Sequence, residues 1–104
     1  MIEEFCDYLG LKYIKNIDLS QLSKKKVYRC ALASEFKDED TLVFLNLAQA
    51  RFVCKDALFL FELKLKLIQH YQHIQNCIIF IKAPLCSKAK KLLDERQIKH
   101  YAFV

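Results

Sequence analysis

Glycine and proline are almost missing from this chain of 104 residues, which contains only Gly10 and Pro84. Loops that cradle phosphate groups with backbone amides need several glycines, so the usual nucleotide-binding motifs are excluded. A long uncharged apolar run is also missing. The most apolar stretch, residues 57–68, carries three charged side chains and is too short to cross a lipid bilayer. We therefore expect no membrane-spanning segment and no membrane partner.

A CxxC pair is also absent, although the chain has five cysteines. They are Cys6, Cys30, Cys54, Cys77 and Cys86. An odd number without motif spacing does not predict a disulfide framework. The first ten residues are acidic where a secretory signal would be basic. We therefore predict a cytoplasmic protein with reduced thiols.

The composition is that of a folded domain, with 54% hydrophobic and 28% charged residues. A chain of this length builds one core and has little room for a deep enzymatic cavity, which favours a small binding or adaptor module. The net charge is +5 and the pI is about 9.0. The excess of lysine and arginine lies in residues 41–104. This balance permits nucleic acid or another acidic partner.

Helical spacing of apolar residues at steps of three and four predicts a short helix over 2–9 that ends at Gly10. The pattern over 11–23 is too weak to predict an element. The lysine run 24–26 is then a solvated connection or the start of a strand.

Alternation of side chains predicts a strand over 27–34, and a β-branched and aromatic run predicts a second strand over 41–45. The two strands form an antiparallel hairpin with a long polar loop. The acidic residues expected at its tip are Asp38, Glu39 and Asp40.

A capping box of Asn46 and Gln49 predicts that the central helix begins there. Apolar residues recur at helical spacing as far as Ile74, and this length predicts a bend or break near 55–57 with Asp56 as a local cap.

The apolar run 77–82 predicts a buried strand, and Pro84 begins a final amphipathic helix. Residues 100–104 are a possible last strand. The predicted order is α-β-β-α(α)-β-α(β), which gives a single α+β domain over 1–104. The hairpin and a third strand form a small, mostly antiparallel sheet with helices on one face.

Cys86 lies where the apolar strand passes into the last helix. A helix N-terminus and the neighbouring Lys88 lower the pKa of a thiol and favour a thiolate nucleophile. The segment resembles the strand, cysteine and helix at the opening of glutaredoxins, with Ala89 in place of the second cysteine. A thiol redox protein is therefore one alternative function.

His70, His73 and Cys77 have the spacing i, i+3 and i+7, which suits two imidazoles and a thiolate around one metal ion. The same segment is also an ordinary polar end to an amphipathic helix, and zinc needs a fourth ligand. We predict no metal and no other cofactor. Because no carboxylate pair stands near an activated group, we also predict no catalytic residues and no enzymatic activity.

Basic residues occur at the hairpin entry, along the central helix and in the last helix, and folding is expected to join them into one polyanion-binding surface. Tyr28, Phe36 and Phe52 offer rings on which single-stranded bases stack. The candidate nucleic-acid-binding residues are Lys24, Lys25, Lys26, Arg29, Arg51, Phe52, Lys55, Lys64, Lys88, Lys90 and Lys91. Alternatively, these lysines only keep an apolar-rich chain in solution.

Residues 27–82 resemble the core of DciA-type proteins, bacterial partners of the replicative helicase with a K-homology-like domain. The resemblance lies in a strand, a polar turn, a second strand that passes into small residues with Phe52 following, a leucine-rich helix and an apolar closing strand. It implies a K-homology-like core over 27–82, flanked by an N-terminal helix and basic connection (1–26) and a C-terminal helix and possible strand (83–104).

The same resemblance implies a non-enzymatic protein that binds the replicative helicase and single-stranded DNA and assists helicase loading. Arg51, Phe52 and Lys55 are the positions that carry this role over. The chain has no GxxG loop, so any grip on nucleic acid comes from side chains. A protein-interaction adaptor without nucleic-acid binding is the other alternative, and the oligomeric state stays open.

Overall fold

The computed structural model describes residues 1–35 and 40–102. In chain order its elements are α1 (Ile2–Tyr8), β1 (Lys12–Ile17), β2 (Tyr28–Ser34), β3 (Thr41–Asn46), α2 (Cys54–Ile68), β4 (Asn76–Ile81), α3 (Ser87–Glu95) and β5 (Lys99–Ala102). The α+β class and the order of the predicted elements are confirmed. One strand, β1, is added between the first helix and the hairpin.

The five strands form one sheet whose spatial order follows the chain, β1-β2-β3-β4-β5. β1, β2 and β3 are antiparallel neighbours, and β2 with β3 is the predicted hairpin. β4 and β5 each join the sheet parallel to the strand before them. A helix precedes each of these two strands and returns the chain to the same end of the sheet, which makes the pairing parallel.

Helices cover both faces of the sheet. α2 and α3 share one face, where Leu60 and Leu93 pack in the same cluster as Phe44. α1 lies on the other face, where Ile2 packs with Phe80. We predicted helices on one face only; α1 departs from this because β3 and β4 are apolar on both sides and need a cover on each.

β1 was not predicted from the sequence because it is a half-exposed strand at the edge of the sheet. A register shift between Tyr13 and Lys15 interrupts its pairing with β2, so no regular alternation shows in the sequence. Gly10 has a φ of +73°, the left-handed conformation expected of a glycine that ends a helix.

The central helix begins later than predicted. Asn46 is the last residue of β3, and its side-chain oxygen accepts the Ala48 N–H at 2.8 Å, which is a turn and not a helix cap. The helix begins at Cys54 and runs to Ile68 without the predicted break. Asp56 does act as a cap, since its carboxylate accepts the Val53 N–H at 2.8 Å.

The last helix begins at Ser87 and not at Pro84. Leu85 instead pairs with Phe52 as an isolated parallel bridge, which keeps the segment after β4 extended. The predicted closing strands are confirmed as β4 and β5. Residues 36–39 and 103–104 lie outside the described residues, so the hairpin tip is described only at Asp40. In the described ranges, no helix combines the length and the apolar character needed to cross a bilayer.

Candidate nucleic-acid interface

Three connecting segments meet at one end of the sheet. Tyr28 begins β2 opposite Asn46 at the end of β3, and Asn46 is level with Ile81 at the end of β4. The segments 18–27, 47–53 and 82–86 therefore all lie beyond this end. The N-termini of α2 and α3 lie there as well, because each helix follows a strand that ends at this side.

We call this region the basic end, because exposed cations collect there. Most of the predicted nucleic-acid-binding residues belong to it. They are Lys24, Lys25, Lys26, Arg29, Arg51, Lys55 and Lys88, all of them exposed. Lys82, directly after β4, joins them. The prediction omitted Lys82, although a polar residue directly after a buried parallel strand is a signal for this edge.

Acidic side chains at the basic end are fewer. Glu3 and Glu4 lie in the first turn of α1, and Asp18 follows β1. The Asp18 carboxylate accepts the Ser20 N–H at 2.9 Å, and this hydrogen bond lowers its pKa. Asp56 is half-buried and bonded to the backbone. The electrostatic balance of the basic end is therefore positive.

Turns and side-chain contacts hold the lysine-rich segment 18–27 in place. The Leu19 carbonyl accepts the N–H groups of Leu22 and Ser23, both at 2.9 Å. The Lys25 ammonium lies 4.1 Å from the ring centroid of Phe59 on α2, a cation–π contact. This contact brings the lysine run beside the first half of α2, and Lys55 lies one helical turn before Phe59 on the same side.

The Arg29 guanidinium bonds to the backbone of its own loop. Its Nη1 donates to the carbonyl oxygens of Lys26 and Tyr28. These bonds fix the loop and use only one of the three guanidinium nitrogens. Arg29 therefore serves both as a clamp for the loop and as a positive charge at the basic end.

Arg51 and Lys88 come together through the pairing of two loops. The Phe52 N–H donates to the Pro84 carbonyl and the Cys86 N–H donates to the Phe52 carbonyl, both at 2.9 Å. Arg51 and Lys88 thus flank Cys86, the N-cap of α3. Residues from separate parts of the sequence therefore share this corner of the basic end.

The environment of Cys86 lowers the pKa of its thiol. Hydrogen bonds from the backbone N–H groups of Ala89 and Lys88 are the largest cause, and the charges of Arg51 and Lys88 add to them. This is the shift predicted for a thiol at a helix N-terminus. The other core cysteines behave in the opposite way, because burial raises the pKa of Cys6, Cys30 and Cys77.

Two predicted stacking residues are inside the core. Phe52 is 1% exposed and Tyr28 is 4% exposed, so neither presents a ring face to a base. The Phe52 ring packs in the cluster under α2 and α3, and this explains why an aromatic residue follows Arg51. Phe36 lies outside the described residues. The basic end therefore offers a ligand exposed cations and not the rings of Tyr28 and Phe52 that the sequence indicated.

Three of the predicted cations are not at the basic end. Lys64 lies in the second half of α2, where its charge acts on Cys77 near the beginning of β4. Lys90 and Lys91 lie further along α3 and are exposed. They extend the positive surface along the helix but do not belong to its N-terminal corner.

The histidine motif is not assembled into a metal site. His70 and His73 are exposed in the connection between α2 and β4, whereas Cys77 is 3% exposed in the core. Burial raises the pKa of Cys77 to about 12, which opposes formation of a thiolate ligand. Residues 1–35 and 40–102 contain no group of three or more His, Cys, Asp or Glu that could hold a metal ion.

Comparison with known proteins adds one likeness of fold. No protein-family model and no curated protein sequence matches this chain. Among solved structures, the fold is similar to that of EndoMS in its apo form, with a TM-score of 0.63 and 15% sequence identity. The similarity covers 99% of this chain and 46% of the EndoMS chain, so this chain spans about half the length of EndoMS.

Proposed function

We propose that this chain is a non-enzymatic module that binds single-stranded DNA through the basic end. The observation that supports this most directly is that cations from two connecting segments and from the adjoining ends of β2, α2 and α3 gather at one end of the sheet. They are Lys24–Lys26, Arg29, Arg51, Lys55 and Lys88. Each phosphate that such a surface neutralises releases counterions and adds to affinity.

The proposed contacts are to phosphates and not to base edges. Lysine and arginine dominate the exposed side chains of the basic end. Tyr28 and Phe52 are buried, and the half-buried ring of Phe59 contacts the Lys25 ammonium. Binding is therefore insensitive to the base sequence of the DNA, and the affinity decreases steeply as the salt concentration rises.

We further propose a role in DNA replication with the replicative helicase as partner, in the cytoplasm. This finer assignment rests on the resemblance of residues 27–82 to DciA-type proteins. All five cysteines are free thiols, which agrees with a reducing compartment.

One observation favours the adaptor alternative. Leu58 and Leu65 lie one heptad apart on α2 and are 52% and 56% exposed. Where exposed apolar side chains form a continuous patch, the patch is typical of protein contacts. In this reading, α2 docks another protein and the cations of the basic end only maintain solubility.

Equilibrium titration of a fluorescent oligo(dT) tests the proposed function. We compare the Lys24→Glu/Lys26→Glu/Lys88→Glu protein with a control that carries Lys12→Glu/Lys66→Glu/Lys99→Glu. The control residues are also exposed and change the net charge by the same amount, but they lie toward the opposite end of the sheet. If the basic end binds phosphates, the first protein loses affinity and the plot of log affinity against log salt becomes shallower by about 2 units.

The control protein keeps most of the wild-type affinity and slope. Equal losses in the two triple variants would show that only the net charge matters, and the proposed interface would be wrong. Wild-type protein that does not bind at about 50 mM salt, where phosphate contacts are strong, would exclude the function itself.

A further inference from the structure

A groove opens beneath the lysine-rich segment. β1 ends at Ile17 and β2 begins only at Tyr28, so residues 18–27 turn away from the sheet and leave a space of about 810 Å³. This volume falls in the range of pockets that hold drug-sized ligands. The groove opens onto the hydrophobic core, because its lining includes residues from the core clusters on both faces of the sheet.

The groove combines an aliphatic floor with a positive rim. The floor residues are Ile2, Ile17, Leu19, Leu45 and Leu47. Lys24, Lys25, Lys26 and Arg29 line the rim. Glu3 and Asp18 also line it, and the cations outnumber these two acids. A ligand that matches both parts needs negative charge together with aliphatic groups.

We propose that this groove binds an acidic peptide segment of a partner protein, with leucine-like side chains on the floor and carboxylates against the lysines. Charge complementarity with the rim selects the acidic residues. The floor favours aliphatic side chains over nucleobases, since bases bind best on exposed aromatic rings and Tyr28, the only aromatic residue that lines the groove within the described ranges, is 4% exposed. Ile17 and Leu47 are half-buried, so part of the apolar surface is uncovered.

The structure supports a groove that is formed before binding. The Leu47 N–H donates to the Val27 carbonyl at 2.8 Å, which ties the end of the lysine segment to the chain after β3. The two carbonyl contacts of Arg29 brace the same segment. A preformed groove reduces the ordering cost of binding a flexible peptide. This inference does not depend on the binding of DNA.

Fluorescence anisotropy with a labelled peptide of about eight residues, in which aspartate alternates with leucine, tests the proposal. A second peptide replaces each leucine with serine and keeps every charge. We expect it to bind at least about tenfold more weakly, because one buried leucine side chain contributes more than one factor of ten. This comparison leaves the protein unchanged and cannot be confused with a folding defect.

Protein variants locate the peptide. Leu47→Ser on the floor and Lys24→Glu/Lys26→Glu on the rim should each weaken the aspartate-leucine peptide by about tenfold, whereas Leu65→Ser on the outer side of α2 should have no effect. Leu47→Ser should leave oligo(dT) affinity unchanged. Thermal denaturation confirms that each variant is folded at the assay temperature.

Three outcomes would overturn the proposal. Equal affinity for the leucine-free peptide would show a purely electrostatic contact, and an unaffected Leu47→Ser protein would place the peptide elsewhere. Loss of oligo(dT) binding in folded Leu47→Ser protein would assign the groove to nucleic acid. If the peptide binds as expected and oligo(dT) does not bind wild-type protein, the proposed DNA-binding function fails and the peptide groove stands.

Discussion

Substitutions of Phe52 test whether its ring has a structural role in the core or contacts DNA directly. Its ring is 1% exposed and belongs to the cluster under α2 and α3. Its backbone bonds to Pro84 and Cys86, which join the two loops that carry Arg51 and Lys88. Replacement of a buried phenylalanine with alanine costs about 3–5 kcal/mol, a large share of the 5–15 kcal/mol that stabilises a typical domain. We therefore expect Phe52→Ala to be strongly destabilised.

The milder Phe52→Leu substitution keeps most of the apolar volume. We expect it to cost about 1 kcal/mol and to lower the Tm by about 4–8 °C, because the leucine fills the same site imperfectly. Thermal denaturation followed by circular dichroism measures this shift. Oligo(dT) affinity, measured well below the Tm, should stay at the wild-type value because the ring does not touch the ligand.

The opposite pattern would refute this reasoning. A Phe52→Leu protein with an unchanged Tm and a clear loss of oligo(dT) affinity would show that the ring lies at the surface and stacks on bases. Leu58→Ala is the control for the loss of apolar volume, since its side chain is 52% exposed and its truncation should change neither property by much.

Two further predictions concern α3 and α2. Because the pKa of the Cys86 thiol lies below its ordinary value, alkylation of Cys86 by iodoacetamide should reach half of its maximum rate at a lower pH than alkylation of a free cysteine peptide. Cys86→Ser should remove this reaction phase. A half-maximal pH equal to or above that of the free peptide would contradict the geometry. Asp56→Ala should lower the free energy of unfolding by about 1 kcal/mol because the Val53 N–H loses its acceptor. Glu62→Ala removes the same charge from an exposed site of α2 and should change stability by less than about 0.5 kcal/mol in the same urea titration, and equal effects would exclude the cap.

The core strands were predictable because their apolar residues have strong local patterns. The alternation over 27–34 gave β2, and the run 77–82 gave β4 within one residue of its observed end. β1 was not predictable in this way. Its register shift and its position at the edge of the sheet leave apolar and polar residues without a regular period.

Helix starts were harder to predict, because capping residues also form turns. Asn46 and Gln49 have the spacing of a capping box, yet β3 extends to Asn46 and the chain then needs seven residues to reach Val53, the N-cap of α2. The pairing of Phe52 with Leu85 holds both loops extended. A contact between residues so distant in sequence leaves no local signal.

The basic end was partly predictable from charge alone. Clusters of lysine in the sequence pointed to Lys24–Lys26 and to Lys88, and the fold brings the first cluster and Lys88 to the same end of the sheet. The prediction that Tyr28 and Phe52 stack on bases was wrong, since both side chains are buried in the core. Burial depends on which face a neighbouring helix covers, and composition does not reveal this.

Lysine acetylation footprinting with and without oligo(dT) tests most directly whether the basic end binds nucleic acid. Mass spectrometry then reports the acetylation rate of each lysine in the wild-type protein, without any substitution. We predict protection of Lys24, Lys26, Lys55 and Lys88 at saturating oligo(dT), and unchanged rates at Lys12, Lys66 and Lys99 near the opposite end. Protection of this second set, or no protection of the first set in a bound complex, would contradict the account.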